Sequence, residues 1–222
     1  MVSQAVKSCT PRLRADATRN RELIVAAAQE AFIEFGADAP LDEIARRAGI
    51  GNATLYRHFP DRRELIRSVV LAVLAKMAAE ADTILNEAPD AFTALEGVVH
   101  GAVDWKVGAL CPLLSEWMDL AEPDILAARD RLDTVVASVI DRAQAEGSLR
   151  NDVGPGDIML IAAQIARPLP GASLVDHQYF VHRHLQLVLD GLRAPQRSVL
   201  PGRPSTLEDL RERCAATRAQ QS

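Results

Sequence analysis

The sequence predicts an all-α protein. Aromatic residues make up only 4% of the 222 residues, while Ala, Leu and Arg recur throughout. Strands favour aromatic and β-branched residues, and Ala, Leu and Arg are strong helix formers. Apolar residues also return at helical spacing, with no alternating strand pattern anywhere. The main Gly and Pro clusters lie between the periodic runs, where they end helices.

Bulk properties narrow the class further. Apolar residues are 48% and charged residues 25% of the chain, the balance of a globular protein with a useful core. No stretch approaches ~20 apolar residues, so no membrane span is expected. The first residues, MVSQAVKSCTPRLRADATR, lack the apolar region of a secretory signal. Cys9, Cys111 and Cys214 lie far apart with no CxxC. A disulfide framework or zinc site is therefore not expected, and a reducing cytoplasm fits. The net charge of −5 is uneven: residues 1–67 hold 11 Lys and Arg against 9 Asp and Glu. A mildly basic head on an acidic body suits local contact with nucleic acid.

The elements read in order as follows. Residues 1–15, with Pro11 and scattered Arg, read as a flexible basic arm. From Thr18 a helical stripe runs through Leu23, Ile24, Ala27, Ala28, Ala31, Phe32 and Phe35 until Gly36 stops it. Pro40 suits the first turn of a second helix, and Asp42 and Glu43 suit its positive end. Ile44, Ala45 and Ala48 form its buried side before Gly49. Ile50-Gly51-Asn52 is a tight turn with Asn52 as N-cap of a short helix through His58. Phe59-Pro60-Asp61 breaks that helix. Asp61 caps the next, a long helix running to about Leu85. Further helices are expected at about 90–107, 112–120, 124–146, 156–167, 176–193 and 205–218, the last a loosely docked tail.

The informative stretch is LDEIARRAGIGNATLYRHFPDRREL, residues 41–65. Two short helices joined by a tight Gly-containing turn, crossing at ~90–120°, make a helix-turn-helix. The B-DNA major groove is about 12 Å wide and admits one helix, which the first helix braces. Leu55 and Phe59 face inward as scaffold. Asn52, Ala53, Thr54, Tyr56, Arg57 and His58 remain outside. Asn and Thr can donate and accept to bases, Ala53 can meet a thymine methyl, and Tyr56 and His58 can bond phosphate. Arg62 and Arg63 open the following helix and can add phosphate contacts.

The run TLYRHF followed by PDRREL, with FxExG before DEIARRAG, resembles the signature of the TetR family over about residues 18–66. That resemblance implies a three-helix DNA-binding domain and a larger C-terminal helical domain for ligand binding and dimerisation. It places the recognition helix at Asn52–His58, phosphate contacts at Tyr56 and His58, and a phosphate anchor at Arg62. Many members have Ser or Thr at the position of Pro40 and a basic residue at that of Asp42. Both departures make the bracing helix a poorer phosphate ligand. Residues 113–153, above all RAQAEGSLRNDV, resemble the regulatory domain of the SbtR-like branch.

The expected organisation is residues 1–66 for DNA and 67–222 for ligand sensing and dimerisation. The partners are a near-palindromic double-stranded operator, an unknown small-molecule effector and a second copy of the chain. One short helix reads few base pairs, so two-fold related helices should read half-sites ~34–36 Å apart or a multiple of that. The dimer seam is expected on 156–167 and 176–193, through Leu174, Phe180, Leu185, Val188, Leu189 and Leu192. Trp105 and Trp117 are candidate pocket walls, although plain core packing explains either one. His177, His182 and His184 lack the i, i+4 spacing of a helical metal pair and read as surface or interface residues. Cys111 reads as a buried small residue. No GxSxG, GxxxxGK[ST] or GxGxxG occurs, so neither an enzyme nor a cofactor is expected. The leading expectation is a dimeric repressor released by ligand. The alternative is a ligand-independent regulator or activator with a filled core. A helical enzyme or interaction protein would show no salt-dependent duplex binding.

Overall fold

The computed structural model describes residues 10–105, 117–118, 122–166, 174–195 and 198–209. The chain divides into two compact units, Met1–Val69 and Val70–Ser222. Among the described residues everything regular is helical, and the one β-bridge joins Leu149 to Arg193.

In the first unit, α1 spans Thr10–Phe35. It begins before Thr18 and takes in part of the segment read as an arm, because Pro11 falls in the first turn, where its missing N–H breaks no bond. Ile24, Ala27, Ala28, Ala31 and Phe32 are buried, as the stripe predicts. Leu23 and Phe35 are exposed. Gly36 takes φ +72° and starts a 3-10 turn, Gly36–Asp38. Pro40 is the N-cap of α2 (Leu41–Arg47) and lies just before its first turn. Gly49, at φ +67°, turns the chain after α2. Helix α3 (Asn52–His58) follows, then α4 (Arg62–Glu87). The Asp61 carboxylate accepts from the Glu64 N–H at 2.8 Å, so it caps α4 as expected.

In the second unit, the later part of α4 buries Val70, Val73, Leu74, Ala78 and Ala81. Helix α5 (Ala91–Asp104) is capped by Asp90, which accepts from the Thr93 N–H at 2.8 Å. It packs against α6 (Pro123–Ala145), α7 (Pro155–Ile165) and α8 (Leu174–Leu192). Its buried face includes Phe92, Leu95 and Val99, so α5 is the core helix of this unit. Of the helix expected at 112–120, only Trp117 and Met118 are described. Of 205–218, only 207–209 are seen as helical, and the rest lies outside the described residues.

The segment 198–206, which leads into the expected tail, is docked firmly. The Gly156 N–H donates to the Ser205 carbonyl at 2.9 Å, and the Ser205 N–H donates to the Asp157 carboxylate at 3.0 Å. A Cβ on Gly156 would lie 2.4 Å from the Thr206 carbonyl oxygen, so glycine lets the two backbones touch. Arg150, almost fully buried, ties the same region together through Asp152 (2.6 Å) and the Ser198 carbonyl (2.8 Å).

Candidate nucleic-acid interface

Helix α3 rests on Leu55, and Phe59 follows it; both are fully buried, the scaffold the sequence predicts. Around them Asn52, Ala53, Tyr56 and Arg57 are exposed, and Thr54 and His58 are half-buried. Tyr56 keeps 53% of its surface in water. Among the described residues, the side chains of Thr54, Tyr56, Arg57 and His58 make no hydrogen bond or ion pair.

Two expected roles take a different geometry. Gly51 is the N-cap of α3, in extended conformation, and Asn52 is the first helical residue. With no capping to do, the Asn52 side chain crosses to α2, where Nδ2 donates to Asp42 Oδ1 at 2.6 Å. Arg62 turns inward: Nη1 donates to the carbonyls of Ala37 (2.5 Å) and Ala39 (2.8 Å). Ala37 lies inside the 3-10 turn and Ala39 ends it; the guanidinium satisfies both carbonyls and pins the start of α4 to the α1–α2 corner.

A second arginine does similar work. Arg21 of α1 donates Nη1 to the His58 carbonyl at 3.3 Å and Nη2 to Ser68 (2.7 Å) and Glu64 (3.3 Å). Its guanidinium also lies 4.4 Å from the centre of the Phe59 ring. One side chain therefore holds the C-terminal end of α3 between α1 and α4. In the sequence Arg21 is only a polar residue off the apolar stripe, so its partners leave no signal there. On α2, Glu43 pairs with Arg46 and Arg47 at 2.7 Å, and Arg47 also reaches Glu34 at 2.6 Å. Arg46 first, then Arg47, hold the Glu43 carboxyl down to about 2. Asp42, Glu43, Asp61 and Glu64 all have partners within the unit, so the acids of this surface are occupied while Tyr56 and Arg57 point into solvent.

The second unit holds a small cavity. Met77, Ile84, Gly101, Trp105, Leu132 and Met159 are among its walls, with Glu80 the charged residue of the lining. Its volume is about 30 Å³, room for one or two waters. Trp105 is at this void, with the Lys76 ammonium 4.0 Å from its ring centre. Trp117 is half-buried and is not part of the described lining. Nearby, His182 of α8 contacts His100 of α5, Nδ1 to Nδ1 at 2.8 Å, and its Nε2 donates to Asp104 at 3.0 Å. Gln186 continues this link to Glu96 at 3.0 Å. Among the described residues no cluster of His, Cys, Asp or Glu could hold a metal. Cys111 and the side chain of His177 lie outside them.

Residues 24–69 match the family described as bacterial regulatory proteins, tetR family, and residues 91–194 match the C-terminal domain of SbtR-like transcriptional regulators. A crystal structure of a TetR transcriptional regulator from Streptomyces coelicolor aligns over 78% of this chain and 98% of its own, with 32% identity and a TM-score of 0.62. The chain belongs to the TetR family. A second TetR-family structure, from Mycobacterium vanbaalenii, covers 82% of this chain and 99% of its own at 29% identity and a TM-score of 0.62. The transcriptional repressor LfrR of Mycolicibacterium smegmatis is 32% identical over 120 residues, 53% of this chain and 60% of LfrR. TetR-family proteins of this kind are DNA-binding transcriptional regulators, not enzymes. No helix among the described residues is long and apolar enough to cross a membrane.

Proposed function

We propose that this TetR-family chain is a dimeric repressor that binds a near-palindromic operator through α3 and is released by a small-molecule ligand. The observation that supports the DNA contact is the set of outward side chains on α3 that have no partner among the described residues, on a scaffold of two buried apolar residues. Tyr56 and His58 are assigned to phosphate, and Asn52, Ala53, Thr54 and Arg57 to bases. Arg62 is assigned to bracing, because its Nη1 is held by Ala37 and Ala39. The test is affinity across operator and unrelated duplexes. Tyr56→Ala and His58→Ala should weaken binding to all sequences alike, whereas Arg57→Ala should weaken the preferred operator most and relax specificity. Weakening by Tyr56→Ala or His58→Ala that depends on the sequence would remove the phosphate assignments.

Dimerisation is supported by apolar surface on the outer faces of α7 and α8. Phe180 is 50% and Leu187 60% exposed, and Leu160 is exposed as well. Leu185, Leu189 and Leu192, expected in the seam, instead face the core of their own unit. The seam therefore runs through Leu160, Phe180 and Leu187.

Ligand release is supported by the void at Trp105 and its adaptable walls, Met77 and Met159. Its size favours a second reading. A cavity of about 30 Å³ is far below the ~300–1,000 Å³ of a typical ligand site, as in a ligand-independent regulator. Effector screening by operator release separates the two, since a ligand acts only through its different affinity for two conformations, typically ~1–3 kcal/mol.

A further inference from the structure

The bond between Asp42 and Asn52 links the exposed beginnings of α2 and α3 (2.6 Å, Nδ2 to Oδ1). A carboxylate only accepts hydrogen bonds, so it decides which way the Asn52 amide lies: nitrogen towards Asp42, Oδ1 away. The charge on Asp42 strengthens that choice. Nδ2 carries a second hydrogen, so Asn52 still presents one acceptor and one donor side by side. That edge complements adenine in the major groove, which offers the N6 amine as donor and N7 as acceptor. Guanine offers two acceptors, O6 and N7, and Oδ1 would face one of them with no hydrogen between.

We propose that Asn52 reads an adenine in each half-site and that Asp42 is the positioning residue that sets its amide for that base. The proposal rests on α3 being the groove-entering helix, as proposed above. It also gives Asp42 a purpose: an acid near phosphate opposes binding unless it does something else, and here it orients a base-reading amide.

The experiment uses the full chain. Bound duplexes are selected from a random pool, and dissociation constants are measured for the best duplex and for versions changed at one pair per half-site. The proteins compared are the wild type, Asn52→Ala, Asp42→Ala and Asp42→Asn. One A·T pair should emerge whose change to G·C weakens wild-type binding by roughly 5- to 150-fold, and Asn52→Ala should lose that preference. Asp42→Ala should keep its helical circular dichroism and bind unrelated duplex at least as well as the wild type, while its preference at that one pair falls about threefold or more. Asp42→Asn keeps an acceptor oxygen and should restore the preference. Full discrimination in Asp42→Ala, or an Asn52-dependent pair other than A·T, overturns the proposal and leaves the reading of α3 intact. Failure of the wild type to select any sequence overturns both.

Discussion

In the unit Met1–Val69, α3 buries Leu55 and leaves the side chains of Tyr56, Arg57 and His58 without partners among the described residues. In the unit Val70–Ser222, α5 buries seven residues, among them Phe92, Leu95 and Val99, and the functional candidate is a partly open void between α4, α5, α6 and α7. The first unit offers chemistry on its surface and spends its core on holding one short helix in place. The second spends its surface on helix packing and keeps its candidate site in a partly open void between helices. Surface chemistry depends on residue identity, which a sequence shows directly. A void between helices depends on what several distant segments fail to fill.

The sharpest way to break that contrast is to remove the scaffold of α3. Phe59→Ala should destabilise the first unit by about 3–5 kcal/mol, because a fully buried ring is lost from a small core. Denaturant unfolding would register this as an early transition, with operator binding lost alongside it.

The second unit has a matching weak point on its surface strap. Gly156→Ala places a Cβ 2.4 Å from the Thr206 carbonyl, and the overlap should cost about 1–3 kcal/mol or undock residues 198–206. Here DNA affinity should hold while thermal stability falls. A parallel loss of DNA affinity would break the comparison.

Two glycines on α5 sharpen it further. A Cβ on Gly97 would lie 2.9 Å from Ile84 Cγ2, whereas one on Gly101 meets nothing within 4 Å. Gly101→Ala should therefore stabilise the unit by about 0.5–1 kcal/mol, as expected in a helix interior, and Gly97→Ala should not. The mutant melting temperatures should move in opposite directions. If an effector is found, Gly101→Ala should also weaken its effect by narrowing the void.

The smallest effect is electrostatic. The Glu43 carboxyl is lowered from 4.5 to about 2 by Arg46 and then Arg47. A depressed carboxylate contributes stability above its unfolded value and loses it as pH falls through the folded one. The stability gap between wild type and Glu43→Gln should thus be constant from neutral pH to about 5 and shrink towards pH 2. A gap that instead grows in acid would show that the two arginines are not its main partners.

Much of the first unit was legible in the sequence because its signals are local. The period of α1, the breaks at Gly36 and Gly49, the inward Leu55 and Phe59 and the cap at Asp61 each depend on residues within a turn or two. Within the second unit, helix spans near 90–107 and 124–146 were legible for the same reason, and they appear as Ala91–Asp104 and Pro123–Ala145. Which leucines of α8 stay exposed was not. Leu185 and Leu187 look alike in the sequence, and only the position of α5 decides which one is covered.

By itself, then, the sequence determined an all-helical chain with a helix-turn-helix near its start and the outward residue types of α3. Helical periodicity and groove chemistry need nothing beyond neighbours a few positions away. The tertiary structure decided which arginines brace and which face out, that Asn52 is held by Asp42, and that residues 198–206 lie against Gly156. The physical reason is reach: those contacts join segments 10 to 49 positions apart, and a side chain's partner at that range is set by how helices meet.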